Sequence, residues 1–285
     1  MTQFTPLLFV LLWSSGFIGA KLGLPNAEPL TFLLLRYVVV IVLMSGLALA
    51  AHARWPSDGR QIMHIAISGT LLHALYLGGV FTAIHRGLPA GITALIVGIQ
   101  PLLTALGAGA LLGERVVTRQ WIGLLLGFAG VAMVVAHKTG AVPSTEVVSM
   151  LAPALVALLG ITLGTLYQKR FCPRFDLRAG SVVQFAASAL LTLPVACATE
   201  TMHIDWTPHF VFALGWLVLV LSIGAISLLN LLIRRGSAVN VARLFYLTPP
   251  TTALLAWAVF GETLTGLALP GMLAAVTGVW LARPR

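Results

Sequence analysis

Residues 101–131 read PLLTALGAGALLGERVVTRQWIGLLLGFAGV, and residues 249–279, 148 positions later, read PPTTALLAWAVFGETLTGLALPGMLAAVTGV. Twelve of the 31 aligned positions are identical, and they include two prolines and two Gly-Glu pairs. Chance alignment of apolar sequences would match Leu and Ala, but it would not readily match Pro and Gly-Glu at one shift. The chain therefore contains an internal repeat, which we divide into a first copy, residues 1–140, and a second copy, residues 141–285.

The composition indicates the environment of the chain. Of its 285 residues, 59% are hydrophobic and only 9% are charged, whereas an average soluble domain carries about 25% charged residues. The mean hydropathy is +0.99. The net charge of +9 comes from basic residues that stand singly or in small groups between long apolar runs. This pattern excludes a soluble enzyme, a disordered chain and a nucleic-acid-binding protein, and it is typical of a protein that crosses the membrane several times.

Apolar runs near the roughly 20 residues that cross a bilayer recur along the whole chain. We predict an all-α integral membrane protein with ten transmembrane helices, five in each copy of the repeat. Because five is odd, the second copy must enter the membrane inverted, which is the plan of secondary transporters. The predicted spans are Pro6–Ala20, Pro29–Ala51, Ile62–Ile84, Pro89–Leu112, Trp121–Ala136, Val147–Gln168, Ser181–Ala198, Phe210–Ile233, Ala238–Phe260 and Leu267–Ala282.

The loops between these spans differ in their content of Lys and Arg. The side that holds both termini collects twelve of these residues, namely Arg54, Arg60, Arg115, Arg119, Lys169, Arg170, Arg174, Arg178, Arg234, Arg235, Arg283 and Arg285. The other side holds three, namely Lys21, Arg86 and Lys138. Since basic loops stay in the cytoplasm, we predict that both termini are cytoplasmic. The predicted location is the plasma membrane, which is the inner membrane in a bacterium.

The first two spans carry further motifs. Residues 13–21 read WSSGFIGAK, and Pro29, Phe32 and Arg36 follow in the pattern P-x-x-F-x-x-x-R. Together with the Gly-Glu pairs that end spans four and nine, these residues resemble the EamA branch of the drug/metabolite transporter superfamily over nearly the whole chain. The resemblance implies ten helices, export or exchange of small metabolites, often amino acids, and a central cavity lined by spans one, three, four, six, eight and nine. Arg36 aligns with Gln184 in the second copy. Near the outer surface it could bind a substrate carboxylate or have a structural role, and we favour the structural role.

His73 is expected near the centre of span three, as the only titratable side chain near the middle of the bilayer. Tyr76 follows three positions later on the same helix face. An ionisable residue at this depth is a functional candidate by default, and an imidazole can respond to a proton gradient. The alternative is a histidine satisfied by a neighbouring hydroxyl or carbonyl. The pair also resembles the aromatic amino acid exporters of the same superfamily.

Prolines fall at equivalent places in two spans: Pro101 near the middle of span four, and Pro249 and Pro250 near the middle of span nine. Proline removes a backbone donor and kinks a helix, and matched breaks in the two halves of a transporter point to a midplane site. We therefore predict that these residues act in gating. A packing kink stabilised by neighbouring helices is the alternative.

Polar and aromatic residues inside the spans complete the candidate site. Trp13 and Tyr246 could stack on a flat substrate. Arg243 could bind a substrate carboxylate, or it could snorkel to the nearby membrane surface. The predicted substrate-binding residues are Trp13, His73, Tyr76, Gln100, Thr162, Asn230, Arg243, Tyr246 and Thr248.

Other patterns have structural interpretations. Cys172 and Cys197 are separated by about 25 residues of helix, roughly 37 Å, so we expect no disulfide between them. Glu114 and Glu262 are expected to act in loops or as helix caps. Small residues predict close packing of spans five and ten, with a homodimer interface as the alternative; they are Gly123, Gly127, Gly130, Gly271 and Gly278.

These observations predict a secondary transporter that works by alternating access. The predicted role is an exporter or exchanger of neutral amino acids, including aromatic ones; the alternative is an exporter of drug-like or organic-ion compounds. The eight carboxylates fall in loops or at span ends, which argues against a proton-coupled exporter of organic cations. An enzyme is not expected, because the sequence has no His-Glu-x-x-His or Gly-x-Ser-x-Gly motif. The expected partners are a small-molecule substrate and membrane lipid but no nucleic acid, metal or cofactor, and the chain is expected to be a monomer or homodimer.

Overall fold

The computed structural model describes residues 4–88, 93, 96–135, 144–172, 175–261, 266 and 268–282. Most of these residues are helical, and the described part contains one isolated β-bridge, between Ala27 and Ile204. The predicted all-α class is confirmed. The boundary that we placed between residues 140 and 141 lies outside the described residues.

The helices are labelled in chain order. The first half contains α1 (Thr5–Gly23), α2 (Pro29–Ala50), α3 (Gly59–His85), α4 (Gln100–Leu112) and α5 (Thr118–Val135). The second half contains α6 (Ser144–Phe171), α7 (Leu177–Thr199), α8 (Pro208–Arg235), α9 in two pieces, Ala238–Ala242 and Thr248–Phe260, and α10 (Ala268–Leu281).

In the described part of the chain, six helical stretches are long and apolar enough to cross a membrane. They are α1 extended to Asn26, α2, α3, the Ser149–Phe171 part of α6, α7 and α8. The Gln100–Leu112 and Leu269–Leu281 stretches are apolar but shorter. The protein is therefore a multi-pass membrane protein, while the number of ten spans stays a prediction.

Four helices are interrupted at positions related by the repeat. A π-helical segment lies within α3 at Thr70–Leu75 and within α8 at Leu217–Ala225. A 3-10 turn, Arg243–Leu247, divides α9, and a turn at residues 98–99 precedes α4. The same interruptions in both halves show that the repeat extends from the sequence to the backbone.

The prolines lie beside breaks in their helices, but they do not themselves kink a continuous helix. α4 begins at Gln100 and the second piece of α9 begins at Thr248, so Pro101 and Pro249 occupy the first helical turn instead of kinking the middle of a continuous helix. Pro250 follows in the same turn. Proline suits a first turn because the backbone N–H it lacks has no partner there in any case. The break therefore precedes the proline and consists of non-α backbone.

The packing of the helices follows the repeat. α1 packs against α8 and α9, and α6 correspondingly packs against α3 and α4; α2 packs against α7, and α5 against α10. Hydrogen bonds between loops define two ends of the bundle. The Glu28 end carries the loops at residues 24–28, 86–88 and 200–207. The Glu114 end carries the loops at residues 51–58, 113–117, 172–176 and 236–237.

α5 and α10 are in close contact along their glycines, as predicted. A Cβ atom added to Gly123 would lie 2.6 Å from the carbonyl oxygen of Gly278, and one added to Gly130 would lie 2.5 Å from that of Gly271. Gly278 in turn meets the backbone of Gly127. Small residues allow two backbones in lipid to approach this closely. These glycines therefore form a contact between two helices of the same chain.

Charged residues and thiols occupy the expected places where they are described. The Lys and Arg residues counted for orientation divide between the two ends as predicted, apart from Lys138, Arg174, Arg283 and Arg285, which lie outside the described residues together with Glu262. Glu114 caps a helix, since its Oε1 accepts a hydrogen bond from the backbone N–H of Ala238 at 3.0 Å. Cys172 and Cys197 are both free.

Candidate functional site

A small, partly open cavity lies between α1, α3 and α8. Its walls include Trp13, Phe17, Tyr76, Phe81 and Leu221, and they are apolar. The cavity volume is about 20 Å³, which holds one or two water molecules. A metabolite would therefore fit only after the helices separate.

Aromatic rings form one wall of this cavity. The rings of Trp13 and Tyr76 stack with centroids 6.0 Å apart and an interplanar angle of 11°. Phe245, from the 3-10 turn of α9, meets Trp13 edge-on at 5.3 Å. Two of the predicted substrate-binding residues, Trp13 and Tyr76, are therefore brought together from different helices, and Phe245, which was not among the predicted residues, joins them.

Tyr246 lies elsewhere. Its ring packs against Gly127 of α5, where an added Cβ atom would lie 2.6 Å from the ring. The hydroxyl is buried and has no hydrogen-bond partner among the described residues. Tyr246 therefore faces the contact between α5 and α9 and not the Trp13 stack.

Polar groups cluster at the start of α4 and at the start of the second piece of α9. The Gln100 side chain donates to the Thr104 hydroxyl at 3.0 Å, and the Ser14 hydroxyl of α1 donates to the Thr248 carbonyl at 3.4 Å. Three buried oxygens have no partner in the described part of the chain: Gln100 Oε1, Thr248 Oγ1 and Thr252 Oγ1. Gln100 and Thr248, equivalent in the repeat, thus offer unused hydrogen-bonding capacity within the bundle.

The side chains of Thr162 and Arg243 form their hydrogen bonds away from the cavity. The Thr162 hydroxyl donates to the Leu158 carbonyl of its own helix at 2.7 Å. Arg243 donates from Nε to the Asn240 carbonyl at 3.2 Å and from Nη1 to the Val279 carbonyl of α10 at 3.0 Å. The guanidinium therefore connects α9 to α10 through hydrogen bonds to backbone carbonyls.

Asn230 belongs to a separate buried amide cluster. Its Oδ1 accepts from Gln168 at 2.9 Å, and its Nδ2 donates to Gln184 at 3.3 Å. Gln184 also donates to Ser68 and to Gln168, each at 3.0 Å. This cluster joins α3, α6, α7 and α8 and satisfies its members, so it stabilises the packing.

His73 is buried in the π-helical segment of α3. Its ring stacks on Phe185 of α7 with centroids 4.3 Å apart and an interplanar angle of 6°. Neither ring nitrogen has a hydrogen-bond partner among the described residues. The His73 carbonyl accepts a hydrogen bond from the Tyr37 hydroxyl at 3.0 Å. No neighbouring hydroxyl or carbonyl therefore satisfies the imidazole.

The sequence analysis misplaced Arg36. Its side chain is completely buried instead of lying near the outer surface. Nε donates to the Ser222 hydroxyl at 2.9 Å, while Nη1 and Nη2 have no partner among the described residues. The charge acts electrostatically on His73, so His73 is not the only titratable group at this depth. The position of Arg36 in its helix could have indicated this burial. Arg36 is the eighth residue of a helix that begins at Pro29, so it lies roughly 10 Å along the helix axis.

Carboxylates join the two halves at the Glu28 end. Glu28 accepts hydrogen bonds from the backbone N–H and the hydroxyl of Thr201, each at 2.6 Å. Glu200 accepts from the backbone N–H of Leu30 at 2.8 Å and from the N–H and hydroxyl of Thr31 at 2.7 Å. We call Glu28, Leu30, Thr31, Glu200 and Thr201 the carboxylate latch. The hydrogen bonds from Thr201 lower the pKa of Glu28 below its usual value.

Comparison with known proteins identifies the family. The model of the EamA-like transporter family matches the chain twice, at residues 3–136 and 148–283. The "Uncharacterized inner membrane transporter YedA" of Escherichia coli K12 is 29% identical over 90% of this chain and 81% of that protein. The "Probable amino-acid metabolite efflux pump" of the same strain is 24% identical over 96% of this chain and 92% of that protein.

A solved structure shares the fold. One crystal structure superposes with a TM-score of 0.80 over 98% of this chain and 96% of the other, at 19% sequence identity. In the described part of this chain, no cluster of three or more His, Cys, Asp or Glu residues could hold a metal ion. Its relatives are membrane transporters and not enzymes, and its two matches to the family model cover almost its whole length. The chain belongs to the EamA-like transporter family.

Proposed function

We propose that this membrane transporter exports or exchanges neutral amino acids, including aromatic ones, by alternating access. The observation that carries the proposal is the stack of Trp13 on Tyr76 at a small apolar cavity between helices of both halves. Flat rings that face a small cavity can sandwich an aromatic or aliphatic side chain once the helices separate.

The interrupted helices support alternating access. α3 and α8 contain π-helical segments, and α4 and α9 begin after non-α backbone, at positions related by the repeat. Such breaks let a helix bend without losing its remaining hydrogen bonds. Paired breaks around a central cavity fit a molecule whose halves exchange roles. We propose on this basis that Pro101, Pro249 and Pro250 end the flexible segments and begin the rigid ones.

The distribution of charge supports an amino acid over an organic cation. The carboxylates whose side chains are described lie in loops or at helix ends, whereas Arg36 is buried in the bundle. A cation would gain nothing from this interior, while the carboxylate of an amino acid would. The naming of one relative as an amino-acid metabolite efflux pump points the same way.

The test is transport by purified protein in proteoliposomes. Labelled phenylalanine and leucine should enter saturably and should exchange with unlabelled amino acid inside, and Trp13→Ala should reduce the rate at least tenfold. The matched control is Trp206→Ala, an exposed tryptophan in a loop of the Glu28 end, which should retain the rate. Saturable uptake of tetraphenylphosphonium without amino acid uptake would favour the organic-ion alternative instead.

Topology is proposed with the function. Ten spans in two inverted copies, divided near residues 140 and 141, place both termini on the basic Glu114 end, which we propose to be cytoplasmic in the inner membrane of a bacterium. Reporter fusions after Ala53 and after Met202 should give opposite sides. The same side for both would contradict the topology.

A further inference from the structure

In the described part of the chain, Arg36 is a buried cation without a counter-ion. A guanidinium has five N–H donors, and only the one on Nε has a partner among the described residues. The groups that interact with the charge are the side chains of Tyr37, Tyr76 and His73, and none of them is an anion in its ordinary form. An unpaired charge in a low-dielectric interior is strongly unfavourable, so a helix that keeps Arg at this position requires a compensating role.

The guanidinium is held next to a residue that adjoins the cavity wall in sequence. Tyr76 lines the cavity, and so does Leu221, the neighbour in sequence of the serine that holds Nε. That serine, Ser222, donates in turn to the Leu217 carbonyl at 3.1 Å across the π-helical segment of α8. Its hydroxyl therefore uses its proton on the backbone and presents a lone pair to Arg36. The π-helical segment thus orients the guanidinium and leaves both Nη atoms available.

The second half lacks an equivalent charge. Gln184 occupies the position related to Arg36 by the repeat, and its amide is satisfied by Ser68, Gln168 and Asn230. At these two related positions, the bundle therefore contains an unsatisfied guanidinium in the first half and a satisfied amide in the second. A single carboxylate, bound by two parallel hydrogen bonds, is the ligand group that matches this geometry.

We propose that Nη1 and Nη2 of Arg36 bind the carboxylate of the transported molecule when the cavity opens. The inference rests on the proposed function and adds the group that recognises the substrate. The aromatic stack would then hold the side chain, and Arg36 would hold the acid end. Recognition by the acid group alone extends the substrate class to carboxylates without an amino group.

Three ligands that share one aromatic ring but differ in their charged groups test whether the protein recognises the carboxylate. They are L-phenylalanine, phenylacetate, which lacks the amine, and phenethylamine, which lacks the carboxylate. Purified full-length protein should bind the first two and not the third, as measured by thermal stabilisation over a ligand titration. Arg36→Gln, which copies the residue of the second half, should weaken carboxylate binding by about ten- to a hundredfold, because a charge-assisted pair is lost. Arg36→Lys should give an intermediate loss, since it keeps the charge without the planar fork.

The melting temperature of the ligand-free protein and a control variant at another arginine distinguish a structural role of Arg36 from a role in binding. Removing an unpaired buried charge should leave the melting temperature of Arg36→Gln unchanged or raised. Arg234→Gln, which removes a guanidinium that donates to the backbone carbonyl of Phe175, should lower the melting temperature and keep the wild-type affinity for carboxylates. A destabilised Arg36→Gln protein together with full binding by Arg36→Lys would overturn the proposal.

The outcomes for the subsite and for the proposed function are separable. Phenylacetate binding that depends on Arg36, without amino acid transport, would support the subsite and contradict the amino acid substrate. Amino acid transport with the same KM in Arg36→Gln would support the function and contradict the subsite. Wild-type protein that binds neither carboxylate would also contradict the subsite.

Discussion

Glu28 and Asp176 occupy equivalent positions in the two copies of the repeat, directly before α2 and α7, yet they have different kinds of hydrogen-bond partner. Glu28 reaches across to Thr201 in the other half, while Asp176 caps its own helix through the Arg178 N–H at 2.9 Å and pairs with the Arg178 guanidinium. Two carboxylates from one repeat thus make one interhalf contact and one local contact. The two ends of the bundle are consequently not in equivalent states.

The Glu114 end carries a groove where the Glu28 end carries the latch. Residues 27 and 204 are joined by the isolated β-bridge, and their equivalents, Phe175 and Pro56, line an open groove of about 340 Å³. Arg54 and Arg234 lie in the same groove. The two ends therefore join the halves through different bonds. At the Glu28 end they are joined by the carboxylate latch, and at the Glu114 end by the hydrogen bond from Ala238 to Glu114, while Phe175 and Pro56 line a groove there. In an alternating-access cycle the latch would have to break.

A covalent lock across the latch should have the largest effect. Ala27→Cys with Ile204→Cys places two thiols at a bridged pair, where Cα atoms in antiparallel register are about 5 Å apart and within disulfide range. Oxidation should abolish amino acid uptake into proteoliposomes, and reduction should restore it. The equivalent pair Pro56→Cys with Phe175→Cys should not cross-link spontaneously, because its members line a groove. Full transport by the oxidised Ala27–Ile204 variant would show that the latch stays closed throughout the cycle.

Removal of Glu200 should open the Glu28 end. Glu200→Ala deletes three hydrogen bonds to the start of α2, so only the bonds from Thr201 to Glu28 remain in the latch. In a background with Cys172→Ser and Cys197→Ser, a Val80→Cys thiol in the cavity should react with maleimide about tenfold faster. Asp176→Ala in the same background should leave the labelling rate unchanged. Equal rates in both variants would remove the functional distinction between the ends.

Acid should weaken the latch through Glu28. The pKa of Glu28 is lowered in the folded state by its bonds to Thr201, so the contribution of these bonds is fully present above the usual pKa near 4.5. It is lost as the pH falls through the lowered value. The rate of maleimide labelling at Val80→Cys, divided by the rate for a free thiol at the same pH, should therefore rise a few-fold as the pH falls through the lowered pKa of Glu28, and Glu28→Gln should give the high normalised rate at every pH. A flat pH profile for the wild-type latch would contradict this assignment.

The smallest effect is expected for the local contact. Asp176→Ala removes a side-chain cap from α7 and should lower the free energy of unfolding by about 1 kcal/mol, measured by thermal or denaturant unfolding in detergent. Asp176→Asn, which can still cap the helix, should restore most of the loss. A change in transport rate larger than the change in stability would indicate that Asp176 also takes part in the conformational cycle.

Some elements could be predicted from sequence because they depend on local or periodic features. The apolar runs located α2 at Pro29 and α9 at Ala238, and the glycines of spans five and ten indicated a backbone contact that needs small residues. The prolines were correctly associated with a break but placed inside a helix, because the sequence cannot tell a kink from an interruption one residue earlier. The π-helical segments carry no proline or other signal of this kind.

The candidate site was predicted in part. Trp13 and Tyr76 meet as expected, while Thr162, Asn230 and Arg243 use their polar atoms on neighbouring helices. Arg36 was assigned to the surface, since the sequence places it seven residues after a helix start but does not reveal what covers it.

The sequence by itself determined that this chain is helical, lies in a membrane, repeats its own pattern and belongs with transporters, because hydropathy and residue spacing report directly on lipid burial and helix face. Only the tertiary structure decided which polar atoms have partners. Hydrogen bonds such as those of Arg36 with Ser222 and of Glu28 with Thr201 join residues more than 170 positions apart, and such pairings depend on how helices pack, which no local pattern specifies.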